Sequence, residues 1–60
     1  MDKFNLIGVR VYQDKKLIRT RYFEIGKLKE AIEYARDIGS AGYSYDFICC
    51  DNYGNYICDL

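Results

Sequence analysis

Sixty residues, half of them apolar, 17% aromatic and 30% charged, describe one small folded domain with no room for a second. Nine basic and nine acidic side chains cancel, so no net field draws the chain onto nucleic acid or a membrane surface. Histidine, tryptophan and proline are absent, which excludes the usual histidine-based catalysis.

The opening residues Met1-Asp2-Lys3-Phe4-Asn5 run directly into patterned sequence, so no signal peptide is expected. No uncharged stretch approaches the roughly 20 residues that cross a bilayer. Residues 4–12 and 17–25 alternate in character and predict two strands, with Gln13-Asp14-Lys15-Lys16 as the hairpin break between them. If Tyr12 faces Leu17, then Ile7, Val9 and Val11 lie beside Tyr22, Thr20 and Ile18 on one face. Phe4, Leu6, Tyr12, Leu17, Phe23 and Ile25 then share the other face with Arg10, Arg19 and Arg21. A slip of one residue would exchange the faces of one strand.

Gly26 ends the second strand, and a helix follows over 27–38. Leu28, Ala31, Ile32, Ala35 and Ile38 recur at three- and four-residue steps and make one apolar stripe. Gly39 stands where a left-handed cap is wanted, while the start of the helix has no Ser, Thr, Asp or Asn to cap it. Residues 44–50 and 55–59 predict a second hairpin around Asp51-Asn52-Tyr53-Gly54, an Asp-to-Gly type I turn followed by a bulge. Under that register Ile48, Cys50, Tyr56, Cys58 and Leu60 share one face, and Tyr45, Phe47, Cys49, Ile57 and Asp59 the other. The expected fold is α+β: a ββαββ two-layer domain over residues 1–60, an antiparallel four-stranded sheet with one helix on one face. A single helix leaves the second sheet face uncovered. A core this small is often reinforced by a second copy, so a homodimer is expected, through that face or through edge strands.

Three cysteines, an odd number, leave at least one thiol unpaired in a monomer. Cys49, Cys50 and Cys58 lack the spacing of paired metal-ligand knuckles and have no histidine to join them, so buried, reduced thiols in a cytoplasmic protein are the expectation. No metal or cofactor is expected. Asp46, Asp51 and Asp59 flank the last hairpin; Asp51 has a turn to form, and the other two look like polar strand ends.

Three features suggest a partner. Arg10 and Arg19 would lie opposite each other with Arg21 beside them, a like-charge arrangement that costs stability unless an acidic partner or a phosphate relieves it. Tyr12 and Phe23 interleave with them, as aromatic residues do where bases stack on protein, although the Lys/Arg-Gly-Phe runs of RNA-recognition modules are missing. Solubilising surface charge accounts for the same arginines. The charge is also divided along the chain: residues 1–30 carry eight basic and four acidic side chains, a net +4, and residues 31–60 carry one and five, a net −4. Such a dipolar surface favours oriented docking. Tyr53, at a turn tip, has no evident packing partner within the chain and completes the candidate partner-binding set of Arg10, Arg19, Arg21, Tyr12, Phe23 and Tyr53.

The stretch GKLKEAIEYARDIGSAGYSYDFICCDNYGNY, residues 26–56, resembles the helix-and-hairpin half of very small phage-encoded ββαββ anti-defence proteins, such as anti-CRISPR proteins and the short phage inhibitor of the Hachiman system. The resemblance lies in architecture and size, and no functional residue is carried over from it. It implies a non-enzymatic inhibitor or adaptor that binds a host protein target stoichiometrically, often as a homodimer. A small nucleic-acid-binding module using the arginine and aromatic residues is the alternative.

Overall fold

The computed structural model describes residues 5–60. Phe4, placed in the first strand by pattern, lies outside the described residues. The order is β1 (Leu6–Gln13), β2 (Lys16–Glu24), a single 3-10 turn (Ile25–Lys27), α1 (Leu28–Ser40), β3 (Ser44–Cys50) and β4 (Tyr56–Asp59). The strands form one antiparallel sheet in the order β2-β1-β3-β4, so both hairpins pair locally and the two central strands join them. This is the expected ββαββ α+β fold.

The first hairpin closes through the two-residue turn Asp14-Lys15, both left-handed at φ 53 and 68. That geometry matches the right-handed twist of the flanking strands. The register beyond the turn is not the uniform one expected. Tyr12 does oppose Leu17, but the next pair is Val11 with Arg19, so Ile18 is an extra residue in β2. One inserted residue reverses the face of everything that follows it. Ile7, Val9 and Val11 therefore share a face with Phe23, Arg21 and Arg19, and not with Tyr22, Thr20 and Ile18. A second bulge, at Ile57, has the same effect in β4. Cys49 opposes Cys58 and Cys50 opposes Tyr56, so Cys58 lies on the face of Cys49 rather than that of Cys50, and Asp59 opposes Ile48.

The core sits between the sheet and α1. Ile7 and Val9 pack with Ala31 and Ala35, all but inaccessible to solvent, and Phe23, Tyr34 and Phe47 close around them. Two alanines at the contact let the helix lie close to the sheet. The rest of the predicted stripe is shared with solvent: Leu28 and Ile32 remain 43% and 42% exposed. No side chain caps the start of the helix, as its composition implied. At the other end Gly39 lies within the helix, where the ring of Tyr45 comes within 3.3 Å of where a Cβ would sit, and the left-handed residue is Gly42, at φ 97.

The sheet face away from the helix is not a bare apolar surface. Cys50 and Ile48 lie on it at 0% and 4% exposure, covered by the chain's own residues. Gly8 makes room for them, since a Cβ there would fall 2.8 Å from Ile48 Cγ1. Opposite Gly8, Tyr22 reaches across to the β3–β4 turn, where its hydroxyl donates to the Gly54 carbonyl at 3.3 Å. Asp51 organises that turn as expected: its Oδ1 accepts from Tyr53 N at 2.8 Å and Asn55 N at 2.9 Å, and Gly54 N donates to Asp51 O. Gly54 adopts φ 84, which favours glycine.

Candidate functional site

The bulge at Ile18 divides five of the six proposed partner-binding residues between the two faces of the sheet. Arg10 and Tyr12 lie on the face away from the helix; Arg19, Arg21 and Phe23 lie on the helix side. Arg10 is thus opposite Thr20, and the expected repulsion between Arg10 and Arg19 does not arise.

Arg10 is engaged within the molecule. β1 and β3 place Asp46 directly across from it, and the guanidinium grips that carboxylate with Nε to Oδ1 at 2.7 Å and Nη2 to Oδ2 at 2.9 Å. Tyr12 donates its hydroxyl to Asp46 Oδ2 at 3.2 Å. Asp59, brought to this face by the second bulge, lies 3.9 Å from Arg10 Nη2 and accepts the Tyr56 hydroxyl at 3.0 Å. Arg10 also stands 5.9 Å above the Tyr56 ring. The hydrogen bonds from Arg10 hold the Asp46 carboxyl below the usual aspartate range, against the opposing effect of burial. The same pairing raises Arg10 beyond its already high ordinary value. Burial and the bond to Asp46 raise Tyr12, and the bond to Asp59 raises Tyr56. Asp46 is held ionised and the Tyr12 and Tyr56 phenols protonated, so none of these three groups is poised to exchange a proton near neutrality.

Arg19 and Arg21 differ in kind. Both are exposed on the edge strand β2, and neither forms an ion pair among the described residues. They are positioned by rings. Arg21 lies 5.2 Å from the centroid of Phe23 and 5.1 Å from that of Tyr34, and these two rings pack together at 5.7 Å. Arg19 donates from Nη1 to the Tyr34 hydroxyl at 3.4 Å, which raises the arginine further. Seating a guanidinium on aromatic faces limits its freedom while leaving N–H donors for a carboxylate or phosphate. With Arg21 resting against Phe23 and Tyr34, those rings are also poorly placed to receive a base.

Tyr53 is 87% exposed at the tip of the β3–β4 turn, which is tied to Tyr22 on the face away from the helix. It belongs to neither arginine cluster. Four further residues contact the arginines without having been linked to them by sequence. Asp46, Asp59 and Tyr56 reach Arg10 only through the β1–β3 pairing and the second bulge, long-range features with no local signature. Tyr34 left a trace: it follows Ala31 by three residues and precedes Ile38 by four, an aromatic residue bordering the apolar stripe. The thiols do not converge on one point, because Cys49 and Cys50 project to opposite faces, and among the described residues no group of three or more acidic or cysteine side chains gathers at metal-binding distance. No described helix is long and apolar enough to cross a membrane.

No protein-family model, curated protein sequence or solved structure matches the chain.

Proposed function

We propose that this chain is a non-enzymatic binding protein, an inhibitor or adaptor, that docks through Arg19 and Arg21 onto an acidic surface of a protein partner. One observation carries the reading: two exposed guanidiniums, seated on Tyr34 and Phe23, without a carboxylate partner among the described residues. Planar, unneutralised and positioned arginines suit bidentate capture of carboxylates. Arg10 and Tyr12, committed to Asp46, support the fold and are left out of the contact surface. The ββαββ resemblance directs the proposal to a bacterial defence complex in the cytoplasm, where the three thiols stay reduced. The apolar ridge formed by Ile25, Leu28 and Ile32, 47%, 43% and 42% exposed, is the surface proposed for pairing of two copies.

The test is capture from bacterial lysate by tagged protein, with and without nuclease, comparing the native chain with the double variant Arg19→Glu, Arg21→Glu. Sedimentation of the purified chain before capture reads its pairing: a dimer supports the proposed association of two copies, and a monomer rejects it together with the ridge contact. The proposal requires a nuclease-resistant partner, near equal amount, that the double variant loses. Capture unchanged by the double variant refutes the site, and loss of all captured protein on nuclease treatment moves the reading to nucleic acid. A steep fall of that second kind of binding with salt would follow from phosphate contacts.

A further inference from the structure

Cys49 and Cys58 occupy directly opposed positions on the neighbouring antiparallel strands β3 and β4, with both side chains on the helix side of the sheet. Residues opposed in this way have Cα atoms roughly 4.5–5.5 Å apart. A disulfide accepts Cα separations of roughly 4.4–6.8 Å, so the spacing of the two positions admits the bond. Cys50, the third thiol, points to the other face and is wholly buried there. The odd number of cysteines is thus divided by the fold into one facing pair and one isolated residue. We infer that Cys49 and Cys58 form a reversible intramolecular disulfide when the protein meets a peroxide oxidant, locking the edge strand β4 onto β3.

The chemistry follows from exposure. Cys58 is open to solvent and Cys49 is not, while burial and contact with Cys58 raise the Cys49 thiol above its ordinary value. Cys58 therefore reacts first. Its thiolate attacks one oxygen of hydrogen peroxide, the O–O bond breaks, and a sulfenic acid remains, while the hydroxide that leaves takes up the proton the thiol had released and becomes water. The Cys49 sulfur then attacks the Cys58 sulfur, the S–O bond breaks, and a second water carries off the oxygen with the Cys49 proton. Peroxide has accepted two electrons, and each thiol has given up one hydrogen. Thiol exchange with a small reductant such as glutathione reverses the bond. The consequence falls on β4, a four-residue strand paired on one side only, whose residues are all exposed.

The experiment treats the full chain with hydrogen peroxide, alkylates it with iodoacetamide in denaturant, and reads intact mass, non-reducing mobility and tandem fragmentation. The expected product is a monomer lighter by two hydrogens that takes up one alkyl group, with the bond placed between Cys49 and Cys58. Its melting temperature should rise by roughly 10–20 °C and return on reduction, the scale expected for closing a loop of about ten residues in a small domain. Cys58→Ser, at an exposed position, should keep the fold and lose both the mass change and the melting shift. Three alkyl groups after oxidation, a bond placed at Cys50, a sulfenic acid that persists, or a covalent dimer through Cys58 would each overturn the inference.

Discussion

The three arginines of the first hairpin differ in what their guanidiniums touch, and that decides what each can do. Arg10 spends its donors on Asp46, with Tyr12, Asp59 and Tyr56 completing the network. Arg19 and Arg21 lean on rings and keep their charge for other contacts. A part-exposed ion pair like that of Arg10 and Asp46 is screened by solvent, so Asp46→Asn should cost on the order of 1 kcal/mol at neutral pH. The acid response follows from the sign of the shift. Asp46, gripped by Arg10, and Asp51, held by bonds from Asn55, Tyr53 and Gly54, both have carboxyls below the ordinary aspartate value. Unfolding raises these values, so below about pH 4 the unfolded chain takes up protons first and stability falls as acid is added. A urea titration series from pH 7 to pH 2 should show that fall, and Asp46→Asn should make it shallower and converge with the native chain at the acid end. An unchanged acid slope would mean that the Arg10 pair contributes nothing.

At the scale of elements, each edge strand of the sheet carries one extra isoleucine, Ile18 in β2 and Ile57 in β4, and these two residues set which side chains share each face. Gly8 controls the opposite side of β1. Gly8→Ala would drive a methyl group into Ile48 and should destabilise the fold by roughly 1–3 kcal/mol, the usual cost of overpacking. Gly26→Ala, with nothing within 4 Å of the added atom, should leave the melting temperature near its native value. Equal effects at the two sites would contradict the packing of the face away from the helix. The elements themselves were legible in the sequence: hydrophobic periods located four strands and one helix, and Asp51 with Gly54 announced the second turn. The bulges were not legible. A uniform register and a bulged one satisfy the same alternation, and the choice rests on packing against α1, where Phe23 meets Tyr34 and Ala31 meets Val9. The arginine face assembled from the uniform register was therefore wrong in composition, while Arg19, Arg21 and Phe23 within it do stand together.

For the whole molecule, strand order converts the division of charge along the chain into a division across the sheet. The net +4 of residues 1–30 includes the β2 edge and the net −4 of residues 31–60 includes the β4 edge, since β2-β1-β3-β4 places the two hairpins side by side. A partner with an acidic surface would thus meet the β2 edge first, where Arg19 and Arg21 wait. The reason to expect a sheet-to-sheet dimer weakens at this scale, because Tyr22, the β3–β4 turn and the Arg10 network occupy much of the face away from the helix. All of this depends on the extra residue at Ile18, which alone brings the two free arginines to the helix side. The most direct measurement is therefore a nuclear Overhauser spectrum of the isotope-labelled chain in solution. The aliphatic protons of Arg19 and Arg21 should show contacts to the Tyr34 ring, and those of Arg21 to Phe23 as well. Contacts from Thr20 or Tyr22 to Tyr34, with Arg19 and Arg21 grouped beside Arg10, would restore the uniform register and remove the proposed docking surface.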